Sequence, residues 1–390
     1  MSVRSVVQVA DLPPDIRDMK DAAAKFVDTH ILPHESSIGL TGVIPDGIVD
    51  ELRSLGWYGL TIPTEFGGSG MEPLGYCAVL EELARGPKAI WNPVNLTNGV
   101  GARFLERYAT DEVRDRYLPG MAAGNVLPSI VITEPDAGSD VRAIRTIARP
   151  VDDGWVINGT KHYITFANSA DCLFVLARTP VDDTNRDSFT IFLVERDNPG
   201  FKAVTAQATM AGPPHDHYEV VFDECYVPSA HIIGGQGKGL RTIMATLAEE
   251  RVSMSICAVG SAFRCLELAT NYARDRRAFG SAIGDFQAVQ YLLAESAAEL
   301  AAARALAYDL ARRLATRRVL PHEAAVVKLF TTEVAGRIAD RCLQVFGGAG
   351  LMAESPISRI YRDLRVLRIA GGTSEIQRTL IARGLMDEST

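Results

Sequence analysis

One segment of the chain, residues 132–140, reads Ile-Thr-Glu-Pro-Asp-Ala-Gly-Ser-Asp and is rich in small and turn-forming residues. Small residues and glycine let backbone N–H groups approach a planar or anionic ligand closely. Taken alone, the segment is compatible with a binding loop and equally with an ordinary turn.

A second segment, residues 159–165, places an aromatic residue, Tyr163, close to a β-branched hydroxyl residue, Thr165. Such a pair can hydrogen-bond to a ring system and cover one of its faces. A half-buried strand without a ligand has the same pattern, so this segment indicates a site only in combination with others.

A third segment combines arginine with amide side chains: Arg-Arg-Ala-Phe-Gly at 276–280, followed by Phe-Gln-Ala-Val-Gln at 286–290. The rigid fork of donors on arginine suits a phosphate group. The alternative interpretation is a solvated helix end.

Two glycine-rich segments complete the set, Gln-Val-Phe-Gly-Gly-Ala-Gly at 344–350 and Gly-Gly-Thr-Ser-Glu-Ile-Gln-Arg at 371–378. Each is expected beside a helix end, where free backbone N–H groups attract a pyrophosphate. The glycines at 235, 237 and 239 do not have the GxGxxG spacing and follow no β-α-β pattern. A Rossmann dinucleotide site is therefore not expected.

Composition narrows the class of protein. With 390 residues, the chain is too long for one core, and 47% hydrophobic with 23% charged residues is ordinary for globular domains. A formal net charge of -8 argues against nucleic-acid binding. The six cysteines and seven histidines show no zinc-like spacing, so no metal site is expected. Without a signal-like segment or an apolar run of about 20 residues, we expect a cytoplasmic protein with no membrane segment.

The order of predicted elements divides the chain into three. Apolar residues recur at helical spacing within 18–27, 45–55 and 107–121. Strand-like segments and turns alternate from 127 to about 233. Long helical segments follow at 240–274, 286–317 and 322–346, with lengths that suit an up-down bundle.

Within the strand region, residues 155–165 read as a hairpin with Asn158-Gly159 at its turn. Further strands are predicted at 173–177, 189–194 and 218–222. The chain is thus an α+β multidomain protein, with an N-terminal helical domain at 1–126, a middle β domain at 127–234 and a C-terminal helical bundle at 235–390.

Together, the five segments resemble the acyl-CoA dehydrogenase family in residue type, order and spacing. The resemblance extends from Pro-x-Glu-x-Gly-Gly at 63–68 to Gln-Arg at 377–378. It implies an N-terminal helical domain, a middle β-barrel-like domain and a C-terminal four-helix bundle. It also implies bound FAD, an acyl-CoA substrate, a homotetramer and an electron-transfer flavoprotein as electron acceptor.

The resemblance also implies roles for individual residues. Tyr163 would lie against the flavin, where the family often has Trp, and Thr165 would hydrogen-bond near its reactive nitrogen. Arg276 would contact the adenosine and pyrophosphate across a subunit interface. The implied cofactor-binding residues are Ile132, Thr133, Gly138, Ser139, Tyr163, Thr165, Arg276, Phe279, Gln287, Gln290, Gln344, Gly347, Gly348, Thr373 and Glu375, and the implied substrate-binding residues are Ser139, Arg251 and Gly372.

The catalytic base departs from the commoner family pattern. Many members carry a catalytic Glu immediately before Gly372, but here that position is Gly371, which cannot accept a proton. A smaller branch, which resembles isovaleryl-CoA and long-chain acyl-CoA dehydrogenases, has the Glu on a bundle helix just before an Arg. Glu250, followed by Arg251, matches that position. The resemblance implies that Glu250 takes the α-proton while the β-hydride passes to the flavin, and that the Gly371 N–H stabilises the thioester oxygen.

Several alternatives remain at this level. Glu249 points about 100° away from Glu250 on a helix, so only one can face the flavin. A Glu-Glu-Arg run can also be a solvated helix face. The missing side chain at 371 is expected to leave space for branched, cyclic or longer acyl groups. Other functions for this fold are a flavin oxidase or monooxygenase, a non-catalytic subunit that completes a FAD site, or a nucleic-acid-binding relative.

Overall fold

The computed structural model describes residues 3–8, 12–180, 188–213 and 216–386. Its first part is helical, as expected. Two of its turns are π-helical, at Val27–Ile31 and Leu96–Gly101. The α-helices are α1 (Val3–Val6), α2 (Pro14–Phe26), α3 (Glu35–Thr41), α4 (Asp46–Ser54), α5 (Pro73–Leu83), α6 (Lys88–Asn95), α7 (Ala102–Tyr108) and α8 (Asp111–Ala122).

The helix predicted at 107–121 is confirmed as α8, but its predicted start is wrong, because the helix is interrupted between α7 and α8. Ala109 is extended, and the Thr110 side chain accepts a hydrogen bond from the Val113 N–H. Threonine competes well for this role because its oxygen satisfies an otherwise unpaired N–H at a helix start.

The middle part is an eight-stranded sheet. Its spatial order is β6-β7-β3-β2-β4-β5-β8, with β1 beside β4. The β1–β4 pair and the short β2–β4 contact are parallel, and the others are antiparallel. The strands are β1 (Pro128–Val131), β2 (Ile147–Val151), β3 (Gly154–Thr165), β4 (Cys172–Thr179), β5 (Ser188–Glu195), β6 (Phe201–Gln207), β7 (His217–Pro228) and β8 (Ile232–Ile233).

The predicted hairpin turn at Asn158-Gly159 is wrong, because both residues lie inside the continuous strand β3. The reversal comes earlier, between Val151 and Gly154, which pair across β2 and β3. At Gly159 the strand has a register shift against β7, with φ +154 and the Thr146 side chain 2.5 Å from where a Cβ would be. Asn-Gly is thus used here for a bulge and a close approach and not for a turn.

The C-terminal part confirms the three long helices, with ends that differ by a residue or so. A two-stranded hairpin connects the first two. The elements are α9 (Gly239–Asp275), β9 (Arg277–Ala278), β10 (Ser281–Ala282), α10 (Gln287–Thr316), α11 (Pro321–Phe346), α12 (Pro356–Leu367) and α13 (Ser374–Met386).

The central helix α9 connects the parts of the molecule. It packs against α10, α11 and α12 of the bundle, α5 of the N-terminal part and strand β5. By length and hydropathy α9 could cross a membrane, but 83% of its most apolar window is buried inside the protein. Such burial is typical of a core helix, and it places the middle of α9 where the helical parts share one hydrophobic core.

Candidate active site

Glu250 lies about a third of the way along α9 and is buried. Its Oε1 accepts a hydrogen bond from the Asn95 side-chain N–H at 2.8 Å, and its Oε2 lies 3.1 Å from the Ser253 hydroxyl. A Cβ at Gly99, in the π-helical turn, would lie 2.5 Å from Oε2, so glycine makes room for the carboxylate. The interpretation of Glu-Glu-Arg as a solvated helix face is wrong.

Asn95 is itself held in place. It is the last residue of α6, and its side-chain oxygen accepts a hydrogen bond of 2.8 Å from the hydroxyl of Tyr76 on α5. Both side chains are buried. Three elements, α5, α6 and α9, therefore meet at one carboxylate.

The two adjacent glutamates have opposite electrostatic environments. Burial raises the pKa of Glu250 from its ordinary 4.5 to about 7, and its neutral hydrogen-bond partners only partly offset this rise. Glu249 is buried as well, but it forms ion pairs with Arg103 and Arg107 of α7. Burial acts to raise the pKa of Glu249, and the two guanidinium groups lower it below its ordinary value.

Gly371 and Gly372 lie beside α9, where Gly371 contacts Arg251 and Met254. Arg251 donates through Nε to the Gly371 carbonyl at 3.2 Å, and the buried Lys328 of α11 donates to the Gly372 carbonyl at 2.8 Å. The Gln377 side chain donates to both carbonyls. With both carbonyls held, the Gly371 N–H makes no hydrogen bond within the described residues.

The expectation of empty space at residue 371 is wrong. A Cβ there would lie 2.7 Å from the sulfur of Met254, and φ is +65, in the left-handed region that favours glycine. Met254 follows Glu250 by one helical turn, so the two side chains are neighbours on α9. Glu250 and Gly371 therefore adjoin through Met254, although 121 positions separate them in the sequence.

Arg251, implied as a CoA contact, is 3% exposed and its guanidinium is directed at Gly371. Here it fixes the backbone beside the base. Gly372, also implied as a substrate contact, is half-buried, with its carbonyl held by Lys328 and Gln377.

Four implied cofactor residues lie together on adjacent strand ends of the sheet. Ile132 and Thr133 follow β1, and their carbonyls accept hydrogen bonds from the Lys161 side chain and the His162 N–H of β3. Tyr163 and Thr165 follow Lys161 and His162 at the end of β3. Tyr163 is 60% exposed at φ +59, an uncommon conformation for a bulky residue.

The loop after β1 is fixed by a buried carboxylate. Glu134 accepts the N–H groups of Arg145 and Thr146 and forms an ion pair with Lys161 at 3.0 Å. The following residues Gly138 and Ser139 are exposed. The loop is therefore rigid at its base and open at its tip.

A second group of implied cofactor residues lies at one end of the bundle. The rings of Tyr272 and Phe346 stack at 4.3 Å and bring the ends of α9 and α11 together. Phe279, in the β9–β10 connection, is 97% exposed with φ +50. The exposed members of this group are Arg276, Phe279, Gln287, Gln290, Gln344, Gly347 and Gly348.

Thr373 and Glu375 do not join that second group. They flank Ser374, which starts α13 and donates a hydrogen bond to Glu333. Glu333 precedes Gln344 by 11 residues on α11, or about 16 Å at about 1.5 Å per residue. Within one chain, the 373–375 segment and the 344–348 segment therefore lie about three helical turns apart along α11.

An open cleft of about 810 Å³ lies on the Glu249 side of α9, between the 61–73 connector, α7, α9 and the α10–α11 connection. Its lining carries charges of both signs. The charged residues are Arg103, Arg107, Arg317, Arg318, Glu72, Glu106 and Glu249. The described residues contain no group of three or more His, Cys, Asp or Glu side chains that could hold a metal ion.

The sequence reasoning missed the residues that hold the base and the glycines, namely Tyr76, Asn95, Ser253, Lys328 and Gln377. One signal was available: Lys328 occurs on the apolar face of α11, in line with Ala324 and Ala335, where an unpaired lysine would be costly. Nothing in the local sequence distinguishes Asn95 from Asn92 or Asn98.

Comparison with protein families gives three adjoining matches. The models described as acyl-CoA dehydrogenase N-terminal, middle and C-terminal domains match residues 13–125, 129–225 and 237–386, respectively.

Individual proteins give the same result. Benzylmalonyl-CoA dehydrogenase of Aromatoleum aromaticum is 36% identical over 96% of this chain and 98% of its own length. The mitochondrial isovaleryl-CoA dehydrogenase of Oryza sativa is 32% identical over 95% of this chain and 90% of its own. A glutaryl-CoA dehydrogenase from Mycobacterium smegmatis in complex with FADH2 superposes with a TM-score of 0.87 at 28% identity, covering 97% and 96% of the two chains.

Proposed function

Since the chain belongs to the acyl-CoA dehydrogenase family, we propose that it is a FAD-dependent enzyme that introduces an α,β double bond into an acyl-CoA thioester. Glu250 is the base in this proposal. The observation that supports it is a buried carboxylate with a pKa near 7, adjoining Gly371, the position that holds the base in many relatives.

The chain's residues fit FAD. Tyr163 offers an exposed aromatic face beside Thr165, and Phe279 exposes nearly its whole ring next to Arg276. Large exposed aromatic rings indicate a binding surface. The bound flavin would supply the acceptor for the β-hydride.

Glu250 would remove the α-proton. A carboxylate in a desolvated site is a stronger base than one in water, and a pKa near the working pH combines basicity with a useful ionised fraction. The Gly371 N–H would donate to the thioester oxygen, where negative charge develops as the proton leaves. Arg251, Lys328 and Gln377 would hold that peptide in place by its neighbouring carbonyls.

The arginine-lined cleft is the proposed place for the CoA phosphates. Arginine binds phosphate through its fork of donors. Arg317 and Arg107 are engaged with Glu323 and Glu249, whereas the Arg318 guanidinium has no partner within the described residues. Ser139, exposed at the loop tip, is a further proposed contact.

The proposed acyl group is branched near the thioester. Benzylmalonyl and isovaleryl groups, named for two relatives, both carry a branch at the α- or β-carbon. Met254, which fills the space beside Gly371, would then border the acyl site together with Glu250.

A complete FAD site is proposed to require two chains of a homotetramer. The separation of about 16 Å along α11 between the 373–375 and 344–348 segments supports this arrangement. An electron-transfer flavoprotein is the proposed electron acceptor, and the cytoplasm the proposed compartment.

A Glu250→Gln variant tests the proposal. The amide preserves size but cannot accept the proton. We expect FAD to remain bound and turnover to fall by about 10²–10⁴-fold, because that is the usual contribution of a general base. The measurement is anaerobic bleaching of the flavin by a panel of acyl-CoAs, with turnover through an artificial electron acceptor.

The outcomes are distinct. Wild-type bleaching that is fastest with branched acyl-CoAs and absent in Glu250→Gln supports the proposal, whereas an equally active variant contradicts it. Rapid reoxidation of the flavin by air indicates an oxidase. A FAD-containing protein that no acyl-CoA bleaches indicates a non-catalytic subunit.

A further inference from the structure

A hydrogen-bond chain enters the base from the N-terminal helices. The Tyr76 hydroxyl donates to the Asn95 side-chain oxygen, and the Asn95 N–H donates to Glu250, each over 2.8 Å. We propose that Asn95, oriented by Tyr76, is a positioning residue that holds the Glu250 carboxylate in its working orientation and sets the pH range in which it accepts a proton. This inference rests on the proposed function.

The donor-to-acceptor direction of these hydrogen bonds determines how Asn95 acts on Glu250. A tyrosine hydroxyl that donates to the amide oxygen leaves the amide nitrogen facing Glu250, and nitrogen can only donate. Asn95 therefore stabilises the ionised carboxylate. Because all three side chains are buried, these hydrogen bonds are shielded from water and polarise one another.

The second carboxylate oxygen completes the restraint. The Ser253 hydroxyl lies 3.1 Å from Oε2, and Gly99 leaves no room for a side chain beside it. Of the described contacts of this carboxylate, Asn95 is the side chain that connects it to another domain. The orientation of the base thereby depends on the packing of α5 and α6 against α9.

Few charges compete with this effect. Among the described residues, the titratable and charged groups that interact with Glu250 are Tyr76 from α5, Arg103 from α7 and Cys257 from α9. Arg103 is occupied by Glu249. Burial raises the pKa of both Tyr76 and Cys257 well above the ordinary values, so neither group ionises in the range where Glu250 titrates.

The main test is the Asn95→Leu variant, which removes the amide donor and keeps a side chain of similar shape. FAD content should be unchanged. The acid limb of the pH profile of kcat/KM should shift to higher pH by about one unit. A shift of this size is expected when a charged group loses one hydrogen bond. Turnover at neutral pH should fall about fivefold, because the ionised fraction of Glu250 falls, with recovery at higher pH.

Tyr76→Phe is the milder variant, and it keeps the test usable if Asn95→Leu folds poorly. It should move the limb in the same direction by a few tenths of a unit. Because Tyr76 acts through Asn95, its effect should disappear when Asn95 is already Leu. If Tyr76→Phe has the same effect with Asn95 as with Leu at residue 95, the proposal that Tyr76 acts through Asn95 is wrong.

Asn98→Leu is the matched control. Asn98 is also buried, but it bonds to Thr61 and to the backbone of Trp57 and Val94. Its loss should lower the melting temperature without moving the pH limb.

The acid limb of the pH profile could stay in place in both Asn95→Leu and Tyr76→Phe while Glu250→Gln is inactive. In that case the positioning role of Asn95 is wrong, and the assignment of Glu250 as the base stands. If Glu250→Gln is active, the assignment of the base itself fails.

Discussion

Glu249 and Glu250 are consecutive residues on one helix, both buried, yet one is a structural anion and the other is suited to accept a proton. Glu249 lies against two arginines of α7, which compensate its charge. Glu250 is surrounded by an amide, a hydroxyl and apolar groups, which accept a neutral carboxyl more readily than a charged one.

The difference comes from what each helix face meets. A step of one residue turns the side chain by about 100°, so the two carboxylates enter different neighbourhoods. One face meets α7 and the arginine-lined cleft, and the other meets the π-helical turn after α6. Burial alone does not define a catalytic carboxylate; the charge of its neighbours does.

The largest expected effect on stability comes from removing the compensated charge. Glu249→Ala should lower the free energy of unfolding by about 3–5 kcal/mol, because the buried Arg103 guanidinium loses its partner; the exposed Arg107 adds little. Its kcat per bound flavin should change by less than the roughly 100-fold minimum for loss of a general base. Denaturant unfolding and kcat on the FAD-loaded fraction check both values; an inactive but fully stable variant would reverse the roles of the two residues.

The next effect is a pH dependence of stability carried by Glu250. Since its pKa is about 7 in the folded protein and ordinarily 4.5, the folded state binds this proton more tightly than the unfolded chain. Stability should therefore be greatest below about pH 4.5 for this group and fall as the pH rises to about 7, by about 3 kcal/mol at about 1.4 kcal/mol per unit.

Glu250→Gln removes this titration. The variant should be more stable than wild type at pH 8 by about that amount, and the difference should vanish near pH 4. Chemical denaturation of both proteins across this range provides the measurement. An identical pH dependence in both would mean that Glu250 is not shifted.

The smallest expected effect extends the comparison to Gly371. Gly371→Ala should cost about 1–3 kcal/mol of stability, because a Cβ meets the Met254 sulfur and the φ of +65 is unfavourable for alanine. Adding Met254→Ala should recover the steric part only. If Gly371→Ala is neutral by thermal unfolding, the close contact at this position is wrong.

The same contact bears on moving the base. A Glu250→Gly, Gly371→Glu double variant must accommodate both the strained φ and Met254, so we expect little rescue of turnover unless Met254 is shortened as well. Full rescue without that change would show that the space beside residue 371 is open after all.

The sequence predicted what depends on local pattern. Helical spacing gave the three long bundle helices, and alternating strands gave the β region, because these periodicities follow from backbone geometry. Two details were wrong because one residue type serves several local structures. The helix predicted from 107 starts after Thr110, which caps α8, and Gly159 permits a bulge where a turn was predicted. Family resemblance provided Glu250, which no local pattern could have separated from Glu249.

By itself, the sequence determined the family, the order of the three parts and the absence of a side chain at residue 371. Only the tertiary structure decided that Glu249 is neutralised, that Asn95 and Tyr76 hold Glu250, and that Met254 occupies the space beside Gly371. The physical reason is that a pKa, a hydrogen-bond direction and a steric contact depend on residues from distant helices. The residues concerned come close to one another only when α5, α6, α7 and α9 pack together.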